Sequence, residues 1–152
     1  MNIPNVFTKE VSDTLTNRVN NLKDTQAANW GKMDVAQMLA HCNVTYEMAF
    51  DQNFKKSSPF LRFILKNLVK KSFVNALPLK KNSSTAPEML IKSPKDFEEE
   101  KSRLIAYLQK TVKMSEAFFD GKDHPGFGVM TKQEWNNFYY KHLDHHLTQF
   151  GV

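Results

Sequence analysis

Lys141-His142-Leu143-Asp144-His145-His146-Leu147-Thr148-Gln149-Phe150-Gly151-Val152 carries three of the chain's five histidines. Upstream, Thr131 and Glu134 stand at capping-box spacing, and Gly151 is a favoured residue just past a helix end, so the segment reads as the closing part of a helix from Thr131 to Gly151. At ~100° per residue, Trp135, Tyr139, His142, His146 and Phe150 share one stripe of that helix. His142 and His146 fall near its middle, roughly 40° apart around the axis. His145 points to the edge of the face and Asp144 to the opposite side. Two imidazoles on an apolar stripe each need a partner for a buried ring nitrogen, and one divalent ion satisfies both.

Working outward, a second strongly helical stretch runs from the Asp34 cap, with Gln37 at the capping-box position, to about Asp51. Val35, Met38, Leu39, Cys42, Tyr46, Ala49 and Phe50 mark its buried side, and His41 lies in its middle. If the two helices face each other, His41, His142 and His146 form a three-histidine metal site with open coordination positions. Cys42 points ~100° away from His41 and reads as a small buried hydrophobe. His124, in the sharp loop His124-Pro125-Gly126-Phe127-Gly128, is a candidate fourth ligand or proton-transfer group, against a plainer reading as a loop-capping residue. Glu47 is the other catalytic candidate. Gln149 and His145 are candidates to orient the ligand histidines from behind, with Glu47 and Asp144 as carboxylates able to do the same.

The rest of the chain is also read as helical. A first helix spans about Phe7 to Lys23 with Val11, Leu15, Val19 and Leu22 at helical spacing, followed by a polar loop in which Trp30 plugs the end of the core. A third helix opens at Ser58-Pro59, with Phe60, Phe63, Ile64, Leu68 and Val69 as its apolar stripe. Residues Ala76 to Lys92, rich in Pro, Ser and Asn, predict an extended crossover. Ser93-Pro94 opens a fourth long helix with core positions Phe97, Leu104, Leu108 and Val112, and Asp120 to Met130 reads as a loop. The expected fold is therefore all-α, a four-helix bundle with a long crossover and one additional short helix, residues 1–152 forming a single domain.

Composition bounds the function. The chain has 152 residues and 41% hydrophobic content, enough to fill one core. No apolar run reaches the ~18–20 residues that span a bilayer, and Met1-Asn2-Ile3-Pro4-Asn5 lacks a secretory pattern. One cysteine excludes an internal disulfide framework and predicts a reducing, cytoplasmic setting. The net charge is +5, and no acidic residue lies between Asp51 and Glu88. Such a run can attract nucleic acid, an anionic membrane face or an anionic small molecule. Because Phe54, Phe60, Phe63 and Phe73 fall at core-like spacings, it reads as a solvated lysine face, and neither nucleic acid nor membrane is expected as a partner.

The stretch Trp30 to His41, the His124-Pro125-x-Phe127-Gly128 loop, Thr131-x-x-Glu134-Trp135 and the ending His142-Leu143-Asp144-His145-His146-Leu147-x-Gln149-Phe150-Gly151 resemble the DinB/YfiT-like superfamily, specifically its branch described only as a domain of unknown function. The resemblance covers nearly the whole chain. It implies an up-down-down-up bundle, a homodimer in many cases, and one divalent metal, zinc or nickel, on His41, His142 and His146. It also implies a small-molecule substrate, with a low-molecular-weight thiol such as bacillithiol, mycothiol or glutathione transferred to an electrophile. The competing readings are a metal-dependent hydrolase, in which His124 or a nearby carboxylate moves protons, and a non-catalytic metal-binding stress protein.

Overall fold

A computed structural model describes residues 3–51 and 54–152. Met1 and Asn2, part of the N-terminal stretch read above for a signal, lie outside the described residues, as do Gln52 and Asn53. The described chain is mostly helical. Helix α1 (Lys9–Asn20) starts at Thr8, whose hydroxyl accepts from the Val11 amide. Helix α2 (Val35–Phe50) has the full Asp34/Gln37 capping box, and α6 (Lys132–Gln149) has the Thr131/Glu134 one. Both N-termini thus begin where two otherwise orphaned amides find side-chain acceptors. Gly151, at φ +77°, ends the last helix in the left-handed conformation that glycine adopts without strain.

Helix α5 (Phe97–Phe119) begins three residues later than Ser93-Pro94 suggests. Asp96 is its cap, with its carboxylate accepting from the Glu99 amide at 2.8 Å, while Glu98, Glu99 and Glu100 occupy the first turn. Helices α1 and α2 pack on α5, and α6 lies against α2, α5 and α1. Between them Leu15, Val19, Met38, Leu39, Leu104, Trp135, Leu143 and Leu147 are almost wholly buried. An ion-pair network ties α2 to α5 at one side. The Asn43 amide donates to the Glu100 carboxylate at 2.8 Å, and Arg103 bridges Glu100 and Glu47.

Three expectations need correction. Lys122–His124 and Gly128–Met130 are not plain loop but two short antiparallel strands, β1 and β2, with His124 opposite Gly128. Three residues are too few to display an alternating pattern, so the sequence carries no strand signal there. Trp30 does not plug the core. It is half-buried, with Lys81 Nζ 4.0 Å above its ring and His145 edge-on at 5.6 Å.

The third correction concerns residues 59–74, which form α3 (Pro59–Ile64), a π-helical segment (Leu65–Val69) and α4 (Lys70–Val74). The inward side is Leu65, Val69 and Phe73. Phe60, Phe63 and Leu68 instead face solvent at 76, 67 and 76% exposure. Apolar residues occur on every side of this stretch, so periodicity alone does not choose a face. The π segment, bonded i→i+5, also shifts the phase partway along. Helix α6 holds the end of this stretch: Lys141 Nζ donates to the carbonyls of Ser72 (2.6 Å) and Asn75 (2.8 Å) and to Asn75 Oδ1 (2.9 Å). A cation with three acceptors suits a helix C-terminus, where carbonyls are otherwise unpaired. From there the crossover runs back to the short 3-10 turn Pro87–Met89 above α2.

Candidate metal centre

The packing of α6 against α2 brings residues 101 positions apart into contact: His41 Nε2 and His142 Nε2 are 3.0 Å from each other. The ring of His146 lies 4.7 Å from each of the other two, centroid to centroid, and one nitrogen from each imidazole falls within 4.8 Å of the others. Two nitrogens each ~2.1 Å from a common ion are at most ~4.2 Å apart. Around a tetrahedral ion the separation is ~3.4 Å, so the widest spacing closes by up to about 1.4 Å, a shift that side-chain rotation supplies. His41, His142 and His146 are all buried.

The atoms behind the cluster decide which nitrogens face it. His41 Nδ1 is 2.9 Å from the Met89 carbonyl, which can only accept, so Nδ1 carries the proton and Nε2 presents a lone pair. His146 Nδ1 is 2.8 Å from Gln149 Oε1. The Gln149 amide nitrogen donates to the Trp30 carbonyl at 2.6 Å, which leaves Oε1 as the acceptor and fixes the same tautomer on His146. Outer partners of this kind orient metal-binding imidazoles and raise their basicity. The crossover and the Trp30 loop thus belong to the site, each supplying a backbone carbonyl.

Burial favours the neutral forms. His41 is held below its ordinary pKa by desolvation, opposed by the Met89 hydrogen bond. His142 is held well below by desolvation and by the mutual repulsion of charged forms on His146 and His41. His146 is pushed down to about 3 by desolvation and by His41, with Gln149 opposing. Three neutral imidazoles aimed at one point are a donor set matched to a divalent first-row ion. Three protein nitrogens leave further coordination positions for small molecules.

Gly31 has a role that its place in a polar loop did not signal. Its φ is +87°, and a Cβ there would come 2.5 Å from Gln149 Nε2, so the bare backbone lets Gln149 reach the Trp30 carbonyl. Replacing Gln149 by Ala is expected to weaken metal binding about 10- to 100-fold by releasing the His146 ring. Gln149→Glu, which keeps an acceptor, should retain more of the affinity. Competition against a chromogenic chelator reads both.

The other candidates lie elsewhere. His145 is half-buried beside the cluster, 5.2 Å from the His146 ring and against Trp30. It faces a groove of about 180 Å³ whose lining includes Leu77, Lys81, Tyr140 and Asp144. Its pKa is lowered by partial burial and Lys81, with Asp144 opposing. Asp144 itself pairs with Arg18 at 2.7 Å, and Glu47 is engaged by Arg103. Cys42 is buried, and desolvation pushes its thiol far up, which makes it an inert packing residue.

His124 is turned into its own hairpin. Its Nδ1 accepts from the amides of Gly126 (3.1 Å) and Phe127 (3.0 Å), and its ring stacks on Phe127 at 4.4 Å. The Phe138 ring contacts His124 at 5.2 Å and His142 at 6.0 Å, so an aromatic layer stands between the hairpin histidine and the cluster. In this arrangement His124 closes a loop, the plainer of its two readings.

No curated protein and no solved structure matches this sequence. The family described as "Protein of unknown function (DUF1569)" matches residues 4–151, nearly the full chain. The protein carrying this buried three-histidine cluster therefore belongs to the DUF1569 family.

Proposed function

We propose that the protein binds one divalent ion, zinc or nickel, through His41, His142 and His146, and that it is a metal-dependent enzyme transferring a low-molecular-weight thiol to an electrophilic small molecule. The observation carrying this reading is the convergence of three buried, neutral imidazoles, two of them with tautomers set by the Met89 carbonyl and Gln149. When bound, such an ion lowers the pKa of a coordinated thiol or water and so supplies a nucleophile at neutral pH. The chain's own contribution is to orient the ligands and keep protons off them. The groove beside His145 admits the small molecule, with the exposed ammonium of Lys81 favouring an anionic one. The proposal includes the DinB-like, up-down-down-up arrangement of α1, α2, α5 and α6.

The test uses metal-loaded protein with an electrophile such as monobromobimane, with and without added bacillithiol or glutathione. Consumption that requires both metal and thiol, and that is lost in His142→Ala, is the expected result. Ester hydrolysis without thiol would replace the transferase reading by a hydrolase. Absence of any metal-dependent rate across thiols, electrophiles and esters would leave a metal-binding protein without turnover.

A further inference from the structure

The cluster leaves one prominent feature unused: the outer face of residues 59–71. Phe60, Phe63 and Leu68 are more exposed than any other large apolar side chains of this stretch, and Val129 of β2, at 62% exposure, adjoins it through a hydrogen bond from Lys70 Nζ to the Val129 carbonyl at 3.4 Å. The reading of the basic run as an ordinary solvated lysine face assumed that these aromatics were buried. With Phe60 and Phe63 in solvent, residues 59–71 expose apolar groups and cations together. Lys56 and Arg62 pair with Asp123, and Lys70 pairs with Glu134. Lys66 and Lys71 are exposed and enter none of the ion pairs found among the described residues.

We infer that this face docks the protein on an anionic lipid surface. No acidic residue lies between Asp51 and Glu88, and the carboxylates that reach this face from elsewhere, Asp123 and Glu134, are matched by Lys56, Arg62 and Lys70, so Lys66 and Lys71 remain beside the apolar ridge as cations in excess. A negatively charged bilayer complements both parts at once: the headgroups attract Lys66 and Lys71, and the acyl boundary takes Phe60, Phe63 and Leu68. A second copy of the chain would bring the same positive border against itself, a like-charge pairing that opposes association. Nucleic acid would complement the lysines, but it offers the aliphatic Leu68 and Val129 no partner comparable to a hydrocarbon layer. No helix among the described residues is long and apolar enough to cross a membrane, so the attachment is peripheral. The inference is independent of the metal site.

The experiment is co-sedimentation of the full chain with phosphatidylcholine vesicles and with vesicles containing about one-third phosphatidylglycerol, at low and at physiological salt. Binding to the anionic vesicles that weakens with salt is expected, together with little binding to the neutral ones. Phe60→Ser with Phe63→Ser should reduce the partition coefficient about tenfold or more, and Lys66→Glu with Lys71→Glu should remove the preference for anionic lipid. All four side chains are exposed, so circular dichroism and the melting curve should stay at wild type. Three results would overturn the inference. These are no sedimentation with anionic vesicles at low salt, a dimer in analytical ultracentrifugation dispersed by the Phe substitutions, or retention by single-stranded DNA that the Lys substitutions abolish and the Phe substitutions spare.

Discussion

His142→Ala is expected to purify with less than about a tenth of an ion per chain, against about one for the wild type, when both are prepared without chelators or a nickel column and loaded with zinc. The side chain removed is the one whose Nε2 is 3.0 Å from that of His41 on the opposite helix, so its loss leaves only two imidazole ligands. A second readout is thermal. Zinc at about a hundred times its dissociation constant should stabilise the wild type by about 2.7 kcal/mol and leave the variant's melting curve unmoved. His145→Ala is the control, because that ring lies beside the cluster and not within it. Loss of metal in His145→Ala with retention in His142→Ala would replace the assigned pair of histidines by another.

The second large effect is acid sensitivity centred on His124. Burial holds its pKa down to about 3, with Arg62 and Lys70 adding to the depression. The unfolded chain takes up this proton near pH 6.5. Between pH 6.5 and about 3, therefore, the unfolded state binds a proton that the folded state refuses, and stability falls as pH falls. The contribution is fully present above pH 6.5 and declines by about 1.4 kcal/mol per pH unit through that window. His41, His142 and His146 are depressed in the same direction, so the His124 share has to be separated with a variant on metal-free protein.

His124→Ala strands the Gly126 and Phe127 amides, each costing about 1–3 kcal/mol, and removes a ring packed among Phe127, Trp135 and Phe138. His124→Asn should restore part of that loss, because its oxygen can accept from the loop amides, yet it cannot titrate. Urea denaturation from pH 7 to 4 should show wild type and His124→Asn converging as the pH drops. Parallel curves would show that His124 does not carry the acid dependence.

Much of this molecule was legible in one dimension because local rules were sufficient. The Asp34/Gln37 and Thr131/Glu134 boxes start α2 and α6 where their side chains can satisfy free amides, a matter of a few neighbouring residues. The stripe Trp135, Tyr139, His142, His146 follows from the helical repeat alone, and the burial of all four agrees with it. Gln149 was readable as a partner of His146 for the same reason, since three residues separate them on one helix.

Where local rules gave several answers, the reading went astray. Residues 59–74 carry apolar side chains all round and contain a π segment, so only packing against the core could select Leu65, Val69 and Phe73 over Phe60, Phe63 and Leu68. Nothing in the neighbouring sequence distinguishes Lys141 from a surface lysine. Its importance comes from the unpaired carbonyls of Ser72 and Asn75, which arrive from a distant part of the chain.

By itself, then, the sequence determined where most of the long helices lie, the capping boxes that open α2 and α6, and the pairing of His142 with His146 on one stripe. These depend on spacing along one element, where geometry is the same in any protein. Only the tertiary structure decided that His41 meets that pair, that Met89 and Trp30 offer their carbonyls from the crossover and the loop, and that two phenylalanines are left in solvent. Backbone carbonyls carry no residue identity, and contacts across 101 positions depend on how whole helices pack, so neither is written in any short window of sequence.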